Sequence, residues 1–272
     1  MAQLHLGQSV APNKPQDFEY FRSLCEEEEG WYLSYDNDVT VHGRDFPGSN
    51  SKCIRVRGRI RGVNTDTMFD FMCDEEYRAS WDTLNMNSFN ICQLDKHTNI
   101  GYYCIKSPFP LQNRDVVFQR SWGKIPNGYV IMNHSVELPT HPPIHGIVRA
   151  TSLITGYYVV DTDDGCLFTY LSHADAKVAL PFWFCNKIGV YVAPGFFRKV
   201  STAAMGYADW KLVHRPDHKP WRFEEQRMLH EYADPDMLEE WGFPPAPSCL
   251  IETDGSDSDS FHSLEDEIVT AN

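Results

Sequence analysis

Five segments with strand-like patterns follow one another between residues 100 and 173, and this series is the strongest constraint on the fold. Most of the links between them are short and rich in turn residues, which is typical of antiparallel strands that pair with their neighbours. The series therefore predicts an antiparallel meander. The five predicted strands are Ile100–Lys106, Asp115–Trp122, Gly128–Val136, Ile147–Val160 and Gly165–His173.

More strands are predicted before this series, as a pair over residues 31–35 and 39–42 and a longer strand over 53–63. In the longer strand, apolar residues alternate with Arg55, Arg57, Arg59 and Arg61, the period of a strand with one buried face. We expect the four arginines to form a solvated face of the sheet. A docking site for anions is the alternative interpretation.

Three helices are predicted from apolar residues at helical spacing, over Pro15–Glu29, Asn64–Asp82 and Leu180–Tyr207. Asn64 or Thr65 is expected to cap the second helix, and Pro194 to kink or split the third. Without a repeat or a second core, the chain is predicted to form one α+β domain over residues 16–225. Residues 1–15 are expected to be a flexible leader, and residues 226–272 a largely disordered tail.

The charge of this chain is concentrated in that tail. The formal net charge is −14, and residues 228–272 contain 12 acidic side chains but no Lys or Arg. Because duplex nucleic acid is bound through clustered Lys and Arg, the composition argues against a nucleic-acid partner.

No apolar run is long enough to predict a membrane span, and no secretory signal is visible. The eight cysteines include no Cys-x-x-Cys pair, so free buried thiols in a reducing cytosol are expected.

The motifs of common enzymes and metal sites are missing from the sequence, which predicts neither an enzyme nor a bound cofactor or metal. Several other motifs together resemble the START domain, the StAR-related lipid-transfer family, and within it the phosphatidylcholine-transfer-protein-like group. The resemblance covers roughly residues 17–222. The segments that carry it include Glu76-Tyr77-Arg78, Trp81-Asp82, Gly101-Tyr102-Tyr103, Pro108-Phe109-Pro110 and Asn113-Arg114-Asp115.

This resemblance implies a helix-grip fold, in which a curved antiparallel sheet and a long C-terminal helix enclose a lipid tunnel. It also implies a cytosolic protein, peripheral to membranes, that carries one phosphatidylcholine or phosphatidylethanolamine molecule between them as a monomer. A lipid sensor or scaffold that signals to a partner, a ceramide or sterol carrier, and an enzyme that uses the same cavity stay open as alternatives.

The resemblance places the lipid headgroup at Arg78, Asp82 and Tyr103. Periodicity alone favours an exposed ion pair of Arg78 and Asp82, four residues apart on one helix. The family pattern instead implies a buried Arg78 that binds the lipid phosphate and is held by Asp82. It makes Tyr103 one wall of an aromatic cage for choline.

Other positions of that cage differ from the family pattern. Val116 and Leu153 stand where a relative has tyrosines, and Thr155 where it has glutamine. Because a quaternary ammonium is bound through aromatic faces, this loss makes ethanolamine headgroups plausible, alone or together with choline.

Exchange of a bound lipid requires an opening at a membrane. Trp81, Phe109, Trp183 and Phe184 are candidates for the tunnel lining or its gate, together with the cage positions. The acidic tail contains two serines followed three residues later by aspartate, Ser256 and Ser263. They are candidate phosphorylation sites for an acidophilic kinase, and the added phosphates would repel anionic membranes.

Overall fold

The computed structural model describes residues 13–49, 51–107, 109, 111–177 and 192–227. Within them lie four α-helices and ten strands, followed by a short 3-10 helix at Glu224–Gln226. The helices are α1 (Pro15–Glu26), α2 (Thr65–Cys73), α3 (Glu75–Trp81) and α4 (Ala193–Val213). The strands are β1 (Tyr32–Asp36), β2 (Thr40–Arg44), β3 (Cys53–Arg61), β4 (Asn85–Asp95), β5 (Thr98–Ile105), β6 (Arg114–Ile125), β7 (Gly128–Ser135), β8 (Val148–Arg149), β9 (Thr151–Thr162) and β10 (Gly165–Asp175).

Nine strands form one curved antiparallel sheet in the order β1-β2-β3-β10-β9-β7-β6-β5-β4. The short strand β8 pairs with β6 in parallel, off this path. The meander predicted from the sequence is confirmed, because β4 to β7 and β9 to β10 each pair with the strand that follows in the chain. The links are short except for residues 106–113 between β5 and β6. We call the face that packs against α2, α3 and α4 the inner face, and the opposite face, which carries α1, the outer face.

The inner face holds the largest apolar core. Phe168 from β10 and Phe197 from α4 pack together there, and Phe69 from α2 stacks on Tyr129 from β7 with ring centroids 4.2 Å apart. Gly58 in β3 lets α4 approach closely, since a Cβ atom at this position would lie 2.4 Å from the Phe197 ring. Sheet and helix therefore form the α+β helix-grip fold that was expected.

The four arginines of β3 do not form the uniformly solvated face that the sequence predicted. Arg59 and Arg61 are exposed, but Arg55 is fully buried and Arg57 is half-buried. Arg55 donates hydrogen bonds to the carbonyl groups of Leu24, Cys25 and Glu27 at the C-terminal end of α1. Because the last carbonyls of a helix have no partner within the helix, the arginines satisfy them and fix α1 to the sheet.

The predicted helix over Asn64–Asp82 is in fact two helices, and Asp74 separates them. Asn64 caps α2 as expected, with its side chain accepting from the Thr67 N–H at 2.8 Å. Asp74 ends α2 and caps α3, accepting from the Tyr77 N–H at 3.2 Å. The Asp74 carboxylate also accepts a hydrogen bond from Lys211 Nζ of α4 at 2.8 Å. A buried ion pair with α4 therefore fixes the residue that separates α2 from α3.

Three other boundaries differ from the sequence prediction. Strand β4 was not predicted, and the predicted strand over Ile147–Val160 is divided into β8 and β9. The described part of the last helix begins at Ala193 and runs on to Val213. Pro194 lies in the first turn of this described part, a position where proline is tolerated. The kink or split predicted at Pro194 depends on residues 180–191, which lie outside the described residues, and it stays a prediction. The six cysteines among the described residues are buried free thiols, as expected.

Candidate functional site

Arg78 of α3 and Asp82, which directly follows the last residue of α3, form an ion pair between the helix layer and the sheet. Arg78 Nη1 lies 3.6 Å from Asp82 Oδ2, and the two side chains are only 17% and 13% exposed. The pair is thus largely buried, unlike the exposed pair that periodicity alone favours. Arg78 also donates to the Met72 carbonyl at 3.4 Å. A guanidinium so far removed from water is stabilised only by such partners and can bind an anion strongly.

Tyrosines from the sheet complete the surroundings of this guanidinium. Tyr103 of β5 donates to Asp82 Oδ2 at 3.0 Å, and Tyr157 of β9 hydrogen-bonds to Arg78. Burial lowers the pKa of Arg78, but Tyr157, Tyr103 and Asp82 raise it by more, so its net pKa lies above the ordinary value. Burial, and then the Asp82 charge, raise the pKa of Tyr103. The site therefore contains a permanently charged cation and a protonated tyrosine.

Trp81 lies on the helix side of the same cluster. Its ring stacks on Phe71 with centroids 5.2 Å apart, and the Arg78 guanidinium carbon lies 5.6 Å from its ring centroid. The indole N–H of Trp81 is buried and has no hydrogen-bond partner among the described residues. This arrangement leaves one N–H donor near Arg78 for an acceptor that is not part of the described chain.

The residues that were expected to form the headgroup cage share the inner face. Tyr103 pairs directly with Val116 across β5 and β6. Leu153 and Thr155 lie on β9 with the same alternation as Tyr157, and are therefore on its inner side. Leu153 is 37% exposed, whereas Val116 and Thr155 are half-buried. Of these four residues only Tyr103 is aromatic, and its hydroxyl is already bound to Asp82.

Sequence reasoning missed four polar residues of this inner face, namely Asn133, Tyr157, Tyr170 and Ser172. Tyr157 and Tyr170 pair across β9 and β10, and Thr155 pairs with Ser172 two residues further along. Asn133 of β7 pairs with Thr155 from the other side. The alternation around Thr155 indicates Tyr157, but only the strand order brings Asn133 and Ser172 beside it.

Of the candidate gate residues, the structure describes Phe109 in the link between β5 and β6. Its side chain is 68% exposed. Trp183 and Phe184 lie outside the described residues, as do the candidate phosphorylation sites Ser256 and Ser263.

Within the described ranges, no group of three or more His, Cys, Asp or Glu side chains could hold a metal ion. The helices described for this chain also include none that is long and apolar enough to cross a bilayer. The polar groups of the site are the largely buried guanidinium of Arg78, its carboxylate and tyrosine partners, and the polar side chains of the inner face.

Comparison with known proteins gives consistent matches. The model of the START domain family matches residues 16–211. START domain-containing protein 10 of Mus musculus is 39% identical over 230 residues, which are 83% of this chain and 79% of that protein. The phosphatidylcholine transfer protein of Mus musculus is 22% identical over 202 residues, 70% of this chain and 94% of that protein. The crystal structure of human STARD10 has a TM-score of 0.79 and 37% identity, and covers 85% of this chain and 96% of its own.

Proposed function

The chain belongs to the START domain family, and on this premise we propose that it binds one glycerophospholipid and transfers it between membranes. The single observation that carries the proposal is the buried guanidinium of Arg78. Asp82 and the tyrosines fix it against the inner face of a sheet whose fold is that of human STARD10. The phosphatidylcholine transfer protein, another relative, has a name that states its cargo.

The headgroup phosphate is bound by Arg78 in this proposal. A guanidinium binds phosphate through charge-assisted, often bidentate hydrogen bonds, which are about twice as strong as neutral ones. Asp82 and Tyr103 hold Arg78 in place, and the buried indole N–H of Trp81 supplies a further donor. The acyl chains lie in the apolar space between the inner face and α4. Each CH₂ group removed from water there contributes about 0.8 kcal/mol.

Exchange of the lipid takes place at a membrane surface, with transient contact through the gate. Phe109 supports this part, since an exposed aromatic side chain suits the interface of a bilayer. We place Trp183 and Phe184 in the same gate, and Val116, Leu153 and Thr155 along the tunnel. The protein acts in the cytoplasm as a monomer, peripheral to membranes. It performs no covalent chemistry and needs no cofactor, because the bound phospholipid is its cargo.

The domain that does this work spans residues 16–225, after a flexible leader and before the acidic tail at 226–272. Phosphorylation of Ser256 and Ser263 by an acidophilic kinase adds negative charge to that tail and slows transfer from anionic membranes. A lipid sensor, or a ceramide or sterol carrier, would use the same fold. No contact in the described residues favours either over phospholipid transfer.

The first test measures the lipid that the full chain carries. The protein is incubated with phosphatidylcholine and phosphatidylethanolamine vesicles, and its native mass spectrum and extracted lipids are recorded. We expect one phospholipid per chain in the wild type and none in Arg78→Ala. The matched control is Arg61→Ala, since Arg61 pairs with Asp164 on the exposed side of β3 and should not affect loading. Normal loading of Arg78→Ala would refute the site.

Transfer is then distinguished from sensing by a second measurement. Donor vesicles that contain a fluorescent phospholipid are mixed with unlabelled acceptor vesicles, and the rate of lipid movement is recorded at increasing protein concentration. A carrier raises the rate in proportion to its concentration, and Arg78→Ala abolishes the effect. A protein that binds phospholipid but leaves the rate unchanged is a sensor, and the transfer part of the proposal is then wrong.

A further inference from the structure

Two exposed apolar side chains lie at one edge of the sheet, where the chain leaves α3 and enters β4. Leu84 is 46% exposed and Met86 is 42% exposed. The turn that carries Leu84 is closed by a hydrogen bond from the Asn85 N–H to the Asp82 carbonyl at 3.0 Å. Leu84 therefore lies two residues after the carboxylate that pairs with Arg78, on a backbone that the turn fixes.

Met86 is the extra residue of a β-bulge. Asn85 pairs with Ile105 and Asn87 pairs with Cys104, so Met86 has no partner of its own on β5. A bulge leaves its extra residue outside the ladder and redirects its side chain. Because β4 is the last strand of the described sheet, no further strand of that sheet covers this position. The exposure of Met86 is therefore a consequence of the backbone.

Two lysines without an acidic partner flank these side chains. The Lys106 N–H donates to the Leu84 carbonyl at 2.8 Å, and Lys199 Nζ of α4 donates to Thr83 Oγ1. Both lysines are exposed, and neither forms an ion pair with another of the described residues. We call Leu84, Met86, Lys106 and Lys199 the docking edge. It combines two apolar side chains with two uncompensated positive charges.

The surroundings of the docking edge indicate what binds to it. The exposed Phe109 of the candidate gate lies only three residues after Lys106. A bilayer takes up apolar side chains at its surface, and lysines beside them are attracted by anionic lipids. An edge strand can instead pair with a strand of another chain. The register of β4 is irregular at three points, which disfavours such a continuous ladder.

We propose that the docking edge is a membrane contact, in which Leu84 and Met86 enter the interface of an anionic bilayer. Lys106 and Lys199 lie at the lipid phosphates of that bilayer. This inference rests on the proposed function and deepens it by naming the bilayer charge and a contact outside the gate residues. Because Leu84 is two residues from Asp82, the contact brings the end of α3 to the membrane surface during exchange.

The apolar part is tested by cosedimentation of the full chain with vesicles of phosphatidylcholine and phosphatidylserine. The variant is Leu84→Ser with Met86→Ser, and the matched control is Leu33→Ser, an exposed leucine of β1 at the opposite edge of the sheet. The double variant should bind about tenfold more weakly than the wild type, because two half-exposed apolar side chains are lost. Leu33→Ser should bind like the wild type. Unchanged binding of the double variant overturns the inference.

The charged part is tested by Lys106→Gln with Lys199→Gln on vesicles that contain or lack phosphatidylserine. Binding to vesicles with phosphatidylserine should fall by about tenfold or more, and binding to pure phosphatidylcholine should not change. The matched control is Lys124→Gln, an exposed lysine at the far end of β6, which should keep wild-type binding. A lysine variant that still binds phosphatidylserine vesicles like the wild type overturns the anionic bilayer as partner.

Phospholipid loading, read by native mass spectrometry, separates this inference from the proposed function. Variants that load like the wild type are folded, so that lost vesicle binding belongs to the docking edge. Should the apolar double variant fail to fold, Met86→Ser decides, since Met86 lies outside the ladder.

Two other results have distinct meanings. A dimer in analytical ultracentrifugation that Leu84→Ser with Met86→Ser dissociates, with vesicle binding unchanged, assigns the surface to a second copy of the chain and overturns the inference. A wild type that takes up no phospholipid refutes the carrier function, whereas the docking edge is decided by vesicle binding alone.

Discussion

Replacing Lys211 with methionine should destabilise the fold more than replacing any exposed lysine. The Lys211 ammonium lies 2.8 Å from Asp74 Oδ2, and the two side chains are only 7% and 4% exposed. Asp74 also accepts from the Tyr207 hydroxyl at 3.1 Å and caps α3 through the Tyr77 N–H. Methionine retains most of the length of the side chain but leaves the carboxylate buried without its cation.

The magnitude follows from the burial of the pair. Removing one partner of a buried ion pair costs about 3–5 kcal/mol, because the remaining charge is left without compensation. For a domain of about 200 residues, 1 kcal/mol corresponds to about 2–4 °C in Tm. Lys211→Met should therefore lower Tm by about 6–20 °C, a loss that a lysine at the surface could not produce.

Thermal and urea unfolding of the full chain measure this effect. Lys199→Met is the matched control, since Lys199 is an exposed residue of the same helix that contacts Thr83. The double variant Asp74→Asn with Lys211→Met should lose less than the sum of the two single variants, which isolates the coupling of the pair. A loss below about 1 kcal/mol in Lys211→Met would refute the reasoning, because that is the range of surface ion pairs.

Two further predictions concern the two faces of the sheet. Gly58→Ala should lower the free energy of unfolding by about 1–3 kcal/mol, since its Cβ would lie 2.4 Å from the Phe197 ring. The control is Gly195→Ala in α4, where a Cβ meets nothing within 4 Å. Equal unfolding midpoints of the two variants would contradict the steric argument. Burial lowers the pKa of His134 from 6.5 to about 4 in the folded state. Between these two pH values the unfolded state binds a proton that the folded state does not. The free energy of unfolding therefore falls by about 3 kcal/mol as the pH decreases through this range. His134→Leu should flatten the free energy of unfolding measured between pH 7 and pH 4, and an unchanged slope would show that His134 is not its source.

The sequence predicts those elements whose apolar residues show a clear period. Strand β3 and the meander fall in this class, as does α1, because each has one buried side that repeats regularly. Strand β4 was missed because Asn85–Asp95 lies at the edge of the sheet and is rich in polar side chains, so its alternation is weak. Pattern alone finds a strand only when one of its faces is apolar.

Arg55 shows a second limit of sequence reasoning. Its alternation with apolar residues correctly places it on the outer face, but alternation contains no information about what covers that face. Helix α1 ends against this face, and the carbonyl groups of Cys25 and Glu27 at its end accept hydrogen bonds from Arg55. The tertiary contact, and not the strand pattern, decides that Arg55 is buried while Arg59 is exposed.

Asp74 explains why the ion pair at the centre of the site is buried although periodicity favoured an exposed one. The periodicity of the sequence predicts one continuous helix through Asp82, but α2 ends at Cys73 and α3 begins with a new phase at Glu75. The new phase carries Arg78 towards Tyr103 and Tyr157 on the sheet. The carboxylate that produces this break is the one that Lys211 neutralises. Loss of Lys211 should therefore reduce not only stability but also the placement of Arg78, and with it the binding of phosphate.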